Sequence, residues 1–314
     1  GKGVNMKTIF MGTPEFAVPS LEKVFETTEL TAIFTKEDKP NARGNKIIIN
    51  PVKQFGIEHN IEIIQPRKMK DSELIKKIKD LDPDLIVVVA YGKILPREII
   101  EIPKYGIINV HSSLLPKYRG ASPIHSAILN GEKETGVSIM YIEEGLDSGD
   151  VILMESCEIT ETDTLGTLHD KLKVIGAELL GKAITLIEKE EVTSSPQDHT
   201  KATFVKPITK EEEKIDWSRP AEEVYNKVRG LNPFPGAYTT FKDTVVKIYE
   251  TEKDYEEYEG DFGEIVALKK KHGPVVKLRD GNLILKNVKL QGKKNQSGID
   301  LLNGRVFQTG DKFI

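Results

Sequence analysis

The sequence predicts an α/β protein in which a Rossmann-like, mostly parallel sheet is followed by a small, OB-like β-barrel. Short apolar runs alternate with amphipathic helical segments from Lys7 to about Lys189, as in βαβ units. One run, LIVVVA at 85–90, lacks polar alternation and is typical of a central parallel strand covered on both faces. From Thr209 onward, several short strand-like segments separated by Gly and charged turns favour a small barrel or sandwich.

Length and composition set the domain organisation. A chain of 314 residues accommodates two domains, which we place at 6–191 and 209–314, with an aperiodic linker at 192–208. Apolar residues make up 38% and charged residues 30%, and no apolar run approaches the ~20 residues that span a bilayer, so a soluble protein without a membrane segment is expected. Met6 is expected to be the natural start, preceded by five additional residues, without a signal peptide.

The chain opens with a predicted buried strand at 7–12, KTIFMG, and turns at Gly12-Thr13-Pro14 into a helix. The turn supplies one glycine where a G-x-G-x-x-G motif supplies three, so an ordinary βα turn is preferred over a dinucleotide site. The inner side of the helix is predicted to carry five apolar residues: Phe16, Val18, Leu21, Val24 and Phe25.

A long basic loop follows the second predicted strand, residues 30–34. It exceeds the usual two to six residues of a βα connection, which favours a functional insertion. Its basic residues stand beside the apolar triplet Ile47–Ile49, a combination that suits a surface binding a phosphate backbone. A merely solvated charged loop remains the alternative. The basic residues are Lys36, Lys39, Arg43, Lys46 and Lys53.

The remaining predicted elements continue the alternation. Helices are expected at 51–59, 71–81, 123–130 and 165–189, and strands at 61–64, 85–90, 107–111, 137–142 and 150–159. The last strand carries the single cysteine, Cys157, which excludes an intrachain disulfide and agrees with a reducing cytosol. Because Cys157 lies in the alternating run VILMESCEI, a buried structural thiol is preferred over a nucleophile.

A polar pair ends the strand at 107–111. Asn109 and His111 occupy alternate positions and therefore share one strand face, and the segment from Ser112 to Gly120 leaves the sheet as an irregular loop. Asp147 stands between two glycines in EEGLDSGDVI. We expect His111 and Asp147 at the ends of neighbouring parallel strands, the side where open α/β sheets bind ligands.

Asn109 offers a neutral hydrogen-bond donor for an oxyanion, His111 offers an imidazole, and Asp147 offers a carboxylate that can orient this imidazole. This set suits acyl transfer to an amine, without a serine or cysteine nucleophile and without a metal. For an Asn-x-His pair considered alone, a satisfied structural pair is the alternative.

The C-terminal part presents a short helix, AEEVYNKVRGL, the turn NPFPGAY and several strands. Two clusters of lysines accompany the strands, one at 269–271 and one within 289–294. They fit nucleic-acid binding by a small barrel, but lysines on edge strands also prevent aggregation, so both interpretations stay open.

The chain resembles the methionyl-tRNA formyltransferase family along nearly its whole length. The N-terminal half alone would place it only among folate-dependent formyltransferases. The long basic loop, IDWS and the barrel-like tail fit the tRNA enzymes better than the single-domain enzyme of purine synthesis. The matching segments are MGTPEFAVPSL, FTKEDKPNARG with NPVK, VVVAYGKILP, INVHSSLLPKYRGASPI, ETGVSIMYIEEGLDSGDV, IDWS and NPFPGA.

The resemblance implies transfer of a formyl group from 10-formyltetrahydrofolate to initiator methionyl-tRNA in the cytoplasm, for translation initiation. It assigns catalysis to Asn109, His111 and Asp147. The SLLP motif, formed by Ser113, Leu114, Leu115 and Pro116, corresponds to the family's folate site, and the loop with Arg43 and Lys46 to its tRNA-binding loop. The C-terminal barrel is the expected tRNA-binding domain. No sustained association stripe is present, so a monomer is expected.

Two departures from the family pattern bear on loop geometry. Ser112 replaces a Gly- or Ala-like residue, and Asn41-Ala42 replaces Ala-Gly, but neither removes a functional group. Two rival functions remain: a formyltransferase acting on an amino sugar nucleotide, and a noncatalytic RNA-binding protein on a Rossmann-like scaffold. The basic loop disfavours the first, and retention of the Asn, His and Asp set disfavours the second.

Overall fold

A computed structural model of the chain describes residues 6–40 and 46–314. Eleven strands, six α-helices and two short 3-10 helices, Glu15–Ala17 and His199–Lys201, lie in the described residues before residue 206. The strands are β1 (Lys7–Gly12), β2 (Glu29–Phe34), β3 (Lys39–Pro40), β4 (Ile47–Ile48), β5 (Glu62–Ile64), β6 (Leu85–Val89), β7 (Ile107–His111), β8 (Arg119–Gly120), β9 (Glu134–Tyr141), β10 (Val151–Glu158) and β11 (Phe204–Val205). The helices are α1 (Val18–Thr27), α2 (Pro51–Glu58), α3 (Ser72–Leu81), α4 (Arg97–Ile100), α5 (Pro123–Leu129) and α6 (Leu165–Glu188).

The C-terminal part is dominated by strands. They are β12 (Ala237–Phe241), β13 (Thr244–Asp254), β14 (Ile265–Lys269), β15 (Gly273–Leu278), β16 (Gly281–Leu290) and β17 (Asn295–Ser297). Its helices are α7 (Lys210–Glu213), α8 (Ala221–Gly230) and α9 (Gly298–Asn303). The chain divides into two compact units. The first contains the described residues up to Gly120 with Thr135–Glu158 and His169–Phe204, and the second contains Ala121–Glu134, Ile159–Leu168 and Val205–Ile314.

The main sheet has seven strands in the order β10-β9-β7-β6-β1-β2-β5. β1 pairs in parallel with β2 and β6, and the β2–β5 and β6–β7 pairs are parallel as well. The predicted mostly parallel sheet is therefore confirmed. Its central strand β6 is buried at every position, which explains why its sequence lacks polar alternation.

One expectation about this sheet is wrong. β7 and β9 pair in antiparallel fashion, with His111 opposite Ser138, so the strand that ends at His111 and the strand that precedes Asp147 are not parallel neighbours. The chain leaves β7 and enters β9 at the same end of these two neighbouring strands. Neighbouring strands joined in this way run in opposite directions.

Two helices of the first unit, α2 and α3, begin at side-chain caps that the sequence supplies. The side chain of Asn50 accepts a hydrogen bond from the Lys53 amide at the start of α2, and Asp71 accepts one from the Leu74 amide at the start of α3. These carbonyl and carboxylate oxygens satisfy amides that have no partner within the helix.

The predicted inner side of α1 is only partly correct. Leu21 and Val24 are fully buried, but Phe25 is 39% exposed. Phe25 follows Leu21 by four residues and lies about 40° beyond it on the side away from Val24, at the margin of the core-facing stripe. Its ring instead meets Phe55 edge-on, with 5.6 Å between centroids.

The second unit is built on an antiparallel sheet in the order β12-β13-β16-β15-β14, with β17 added to β16. The last residues of the chain join its two edge strands. Ile314 and Thr240 of β12 exchange two backbone hydrogen bonds, and Ile265 of β14 donates to Asp311 at 2.7 Å. Both edges are thus covered, as in a small barrel. The unit has its own apolar core, in which the Trp217 indole donates to Thr239 Oγ1 at 3.0 Å.

Candidate active site

The candidate site lies at the carboxyl end of β7, within the first unit. Asn109 and His111 point to the same face of this strand, because side chains two residues apart in a strand share a face. Asn109 is half-buried, whereas the other four residues of β7 are buried, and 8% of the His111 side chain is exposed. None of the side-chain hydrogen bonds among residues 6–40 and 46–314 involves Asn109, so its amide is available to a bound group.

The two ring nitrogens of His111 have different surroundings. Nε2 lies 2.8 Å from the carbonyl oxygen of Tyr118. A carbonyl only accepts, so Nε2 carries the hydrogen, and Nδ1 of the neutral ring holds the lone pair. Nδ1 lies 3.7 Å from Oδ2 of Asp147, too long for a hydrogen bond but close enough for charge attraction once Nδ1 gains a proton.

Asp147 reaches His111 through the loop between β9 and β10 and not through a strand end. Its backbone adopts a left-handed conformation with φ of 51°, and Gly145 has φ of 110°. Asp tolerates this region better than most residues, and Gly has no steric penalty there. Oδ2 of Asp147 accepts a hydrogen bond from the Gly120 amide at 2.7 Å, which fixes the carboxylate beside the imidazole.

The SLLP segment is anchored on the neighbouring strand. The hydroxyl of Ser138 in β9 donates a hydrogen bond to the Ser113 carbonyl at 2.7 Å and accepts one from the Leu115 amide at 3.1 Å. The Ser113 hydroxyl donates to the Lys117 carbonyl at 2.7 Å. Ser113 and Leu115 are buried, while Leu114 and Pro116 are half-buried. The surface that this segment offers to a ligand is therefore formed by Leu114, Pro116 and the backbone.

In the basic loop, the two-residue strands β3 and β4 pair in antiparallel fashion, which the sequence did not predict. Lys46 is exposed, and beside it Ile47, Ile48 and Ile49 are 65%, 57% and 41% exposed. Arg43, the other predicted tRNA-binding residue, lies outside the described residues.

One lysine of the predicted basic set is already neutralised by its neighbours. Lys53 Nζ lies 2.7 Å from Oδ2 of Asp38, and this ammonium holds the pKa of the Asp38 carboxyl below its ordinary value, with help from a hydrogen bond donated by Gln65. Lys53 is therefore less available than Lys46 to a phosphate.

Three residues that sequence reasoning did not select support the site. They are Arg119, Ser138 and Gln197. Ser138 could have been found from its position opposite His111 once the strand pairing was known. Gln197 lies in an aperiodic stretch, 50 residues from the Asp147 carbonyl that it contacts, and no sequence pattern indicates it.

Two further predictions concern cysteine and metal. Cys157 is half-buried, so the expectation of a buried thiol is wrong. β10 is the edge strand of the sheet, which leaves both of its faces less covered than those of a central strand. In the described part of the chain, no group of three or more His, Cys, Asp or Glu side chains could hold a metal ion. None of the helices described has the length and apolar character that a membrane crossing requires.

Two family models match the sequence. One, described as formyl transferase, covers residues 6–184, and the other, described as formyl transferase C-terminal domain, covers residues 207–306. The chain is 54% identical over 308 residues to a methionyl-tRNA formyltransferase of Fusobacterium nucleatum, covering 98% of this chain and 99% of the relative. It is 48% identical to a methionyl-tRNA formyltransferase of Sulfurihydrogenibium, covering 98% of this chain and all of the relative.

Solved structures with the same fold are more distant in sequence. An N-formyltransferase from Helicobacter canadensis, crystallised with folinic acid and dTDP-3-aminofucose, has a TM-score of 0.64 at 19% identity, over 89% of this chain and 98% of that chain. HypX from Aquifex aeolicus in complex with tetrahydrofolic acid has a TM-score of 0.63 at 17% identity, over 99% of this chain and 51% of that chain. At such identities the similarity concerns the fold alone.

Proposed function

Because the chain belongs to the formyl transferase family, we propose that it transfers the formyl group of 10-formyltetrahydrofolate to the α-amino group of initiator methionyl-tRNA, for translation initiation. The observation that carries this proposal is the 54% identity to a methionyl-tRNA formyltransferase over 98% of this chain and 99% of the relative. The match includes the C-terminal part, for which a separate family model exists.

The geometry at the end of β7 supports the catalytic roles that we propose. Asn109 and His111 lie on one strand face, and an amide donor there can stabilise the oxyanion that forms when the amine attacks the formyl carbon. The lone pair of His111 Nδ1 accepts the amine proton, and the resulting imidazolium is stabilised by the Asp147 carboxylate 3.7 Å away.

The reaction balances without a covalent enzyme intermediate. The bond from the amine nitrogen to the formyl carbon forms, and the bond from folate N10 to that carbon breaks. The proton that the amine loses passes through His111 to N10 as the folate leaves. An unperturbed α-amino group has a pKa of about 8, so a substantial fraction is protonated at neutral pH and must lose a proton before attack.

The binding roles are proposed for two separate segments. Ser113, Leu114, Leu115 and Pro116 form a folate-facing segment whose backbone is held by Ser138. Arg43 and Lys46 contact the tRNA from the basic loop, and the exposed side chain of Lys46 beside three exposed isoleucines is compatible with this role.

The domain organisation proposed here keeps a catalytic domain at 6–191, a linker at 192–208 and a tRNA-binding domain at 209–314. The family-model matches at 6–184 and 207–306 support boundaries in these regions. We also propose that the protein acts in the cytoplasm and that it is a monomer. Sedimentation equilibrium of the full chain would test the oligomeric state.

The proposed reaction is tested by a competition of amines. The purified protein is incubated with labelled 10-formyltetrahydrofolate and offered methionyl-tRNA, glycinamide ribotide and an amino sugar nucleotide in turn. We expect label in methionyl-tRNA only. Label in the sugar nucleotide or in glycinamide ribotide would assign another formyltransferase activity, and the absence of label from all three would favour a noncatalytic role.

A further inference from the structure

A segment that follows α6 is bonded to both loops of the candidate site. At its start, Ser195 exchanges two backbone hydrogen bonds with Val151 of β10, at 2.8 and 2.9 Å. At its end, Thr203 donates its amide to the Pro116 carbonyl at 3.2 Å and accepts the Arg119 amide at 2.9 Å. Residues 195–203 therefore connect the SLLP loop with the strand that follows the Asp147 loop.

Gln197 lies in this segment and forms hydrogen bonds through both the nitrogen and the oxygen of its side-chain amide. Its Nε2 donates to the carbonyls of Asp147 at 2.9 Å and Gly149 at 2.7 Å. Its Oε1 accepts from Arg119 Nε at 3.2 Å and Nη2 at 2.9 Å. Gln197 is 8% exposed, so water does not readily replace these bonds. A primary amide has both two donors and an acceptor with two lone pairs, and this arrangement uses all of them.

Arg119 is held in place by neutral partners. It is 4% exposed, and none of the carboxylates among the described residues lies within salt-bridge distance of it. Besides Gln197, its Nη2 contacts His199 Nδ1 at 2.8 Å. A guanidinium only donates, so His199 Nδ1 accepts this hydrogen bond through its lone pair. Burying a guanidinium is costly, and the fixed amide and imidazole partly offset that cost.

Asp147 is consequently fixed from two sides. Its carbonyl is held by Gln197, and its carboxylate is held by the amide of Gly120, the residue that follows Arg119. The side chain of Arg119 thus binds Gln197, and the residue after Arg119, Gly120, binds the Asp147 carboxylate. Asp147 itself has the left-handed φ of 51°, a conformation that needs support from its surroundings.

We propose that Gln197, oriented by Arg119, is a positioning residue that holds the Asp147 carboxylate against His111 during formyl transfer. This inference rests on the proposed function for its chemical consequence. The contacts themselves do not depend on it, so the coupling between Gln197 and the Asp147 loop can be measured on the free protein.

The test uses two substitutions of Gln197 and one control. Gln197→Met keeps the length of the side chain and removes all four hydrogen bonds. Gln197→Glu keeps an acceptor for Arg119 but cannot donate to Asp147 or Gly149. Thr28→Val is the control, because it removes a buried hydroxyl between α1 and β2, where Thr28 lies 2.7 Å from the Thr8 hydroxyl of β1 and donates to the Val24 carbonyl at 2.7 Å.

The first readout is amide hydrogen exchange at Gly120 in the free protein. We expect both Gln197 variants to increase the exchange rate about tenfold or more, because the acceptor of the Gly120 amide is no longer fixed, while Thr28→Val changes it less than about twofold. Circular dichroism verifies that each variant is folded. Unchanged exchange in both Gln197 variants would overturn the proposal whether or not the protein is a formyltransferase.

The second readout is formylation of methionyl-tRNA. We expect kcat to fall about 10- to 100-fold in both Gln197 variants with KM values within about threefold of wild type, because a displaced carboxylate affects the transition state more than substrate binding. Wild-type kcat in Gln197→Glu would contradict the proposal, since only the bonds to the Asp147 loop are lost there. An inactive wild-type enzyme would instead contradict the proposed function, and exchange at Gly120 would still decide whether Gln197 holds Asp147.

Discussion

The two ring nitrogens of His111 have different roles: Nε2 holds the ring in place, and Nδ1 faces Asp147. The bond from Nε2 to the Tyr118 carbonyl fixes the tautomer, so the neutral ring presents its lone pair at Nδ1 on the side of Asp147. An acceptor on a flexible surface loop could not do this. The Tyr118 carbonyl is suitable because Tyr118 is buried and its own amide donates a hydrogen bond to Thr203 Oγ1 at 2.8 Å.

Replacement of His111 by Ala removes the proton acceptor. We expect single-turnover formylation to fall about 10²- to 10⁴-fold, the usual contribution of a positioned acid or base, with little change in methionyl-tRNA binding. Rapid-quench measurement with saturating enzyme gives this rate. His59→Ala serves as the control, because it also removes an imidazole, one that stacks on Phe55 at the surface of the same unit. Near wild-type turnover in His111→Ala would remove acid-base catalysis from this residue.

The lowered pKa of a second histidine, His125, makes the stability of the protein depend on pH. Burial lowers the pKa of His125 in α5, and the weaker attraction of Glu212 opposes this only in part. The buried Nε2 of His125 has no hydrogen-bond partner among the described residues. The unfolded chain takes up this proton near pH 6.5, above the pH at which the folded protein does. Stability should therefore decline as pH falls below about 6.5.

We expect His125→Phe to reduce that decline, because the phenyl ring fills similar space without titrating. Urea unfolding of both proteins between pH 8 and pH 5.5 measures the effect. A difference already present at pH 8 reports packing, and the additional difference at lower pH reports the proton. Parallel stability curves over this range would show that His125 does not contribute.

At the scale of elements, β9 is fitted closely between its neighbours. Gly136 has no room for a side chain, because an added Cβ would collide with the carbonyl oxygen of Glu155 and with Cδ2 of Leu114. The first contact is with backbone and cannot be relieved by a rotamer change. The second is with the SLLP segment that we propose to face the folate.

Gly136→Ala should therefore destabilise the protein by about 1–3 kcal/mol, the usual effect of overpacking, and weaken folate binding. Urea unfolding and tetrahydrofolate titration measure the two effects. Gly281→Ala is the matched control in another strand, since its Cβ would meet only ordinary contacts at 3.5 Å or more and should change stability by less than about 0.5 kcal/mol. Equal stability of the two variants would show that β9 shifts without cost.

Local sequence patterns were sufficient for most elements and for part of the site. β1, β6 and β7 were predictable because their apolar runs are local, and the two-residue period placed Asn109 beside His111. The direction of β9 was not, because it depends on where the preceding connection ends. Gln197 was not predictable either, since its four bonds join segments that are distant along the chain.

At the scale of the molecule, the net charge of −4 conflicts with a polyanionic substrate. Binding of tRNA therefore requires a local concentration of positive charge that is not visible in the total. Lys53, in the first turn of α2, is paired with Asp38, whereas Lys46 in the basic loop is exposed. We propose Arg43 and Lys46 as the members of that loop that contact phosphates.

Salt dependence measures these contacts directly. Each phosphate contact releases counterions, so the logarithm of the binding constant falls with the logarithm of salt concentration by about 0.7 to 0.9 per contact. We expect Arg43→Ala and Lys46→Ala each to weaken methionyl-tRNA binding and to reduce this slope by about 1. Lys76→Ala, at an exposed position of α3, should leave it unchanged. If the slopes of the two loop variants equal that of wild type, neither residue contacts a phosphate, and the charge that attracts tRNA must be sought in the lysine clusters of the second unit.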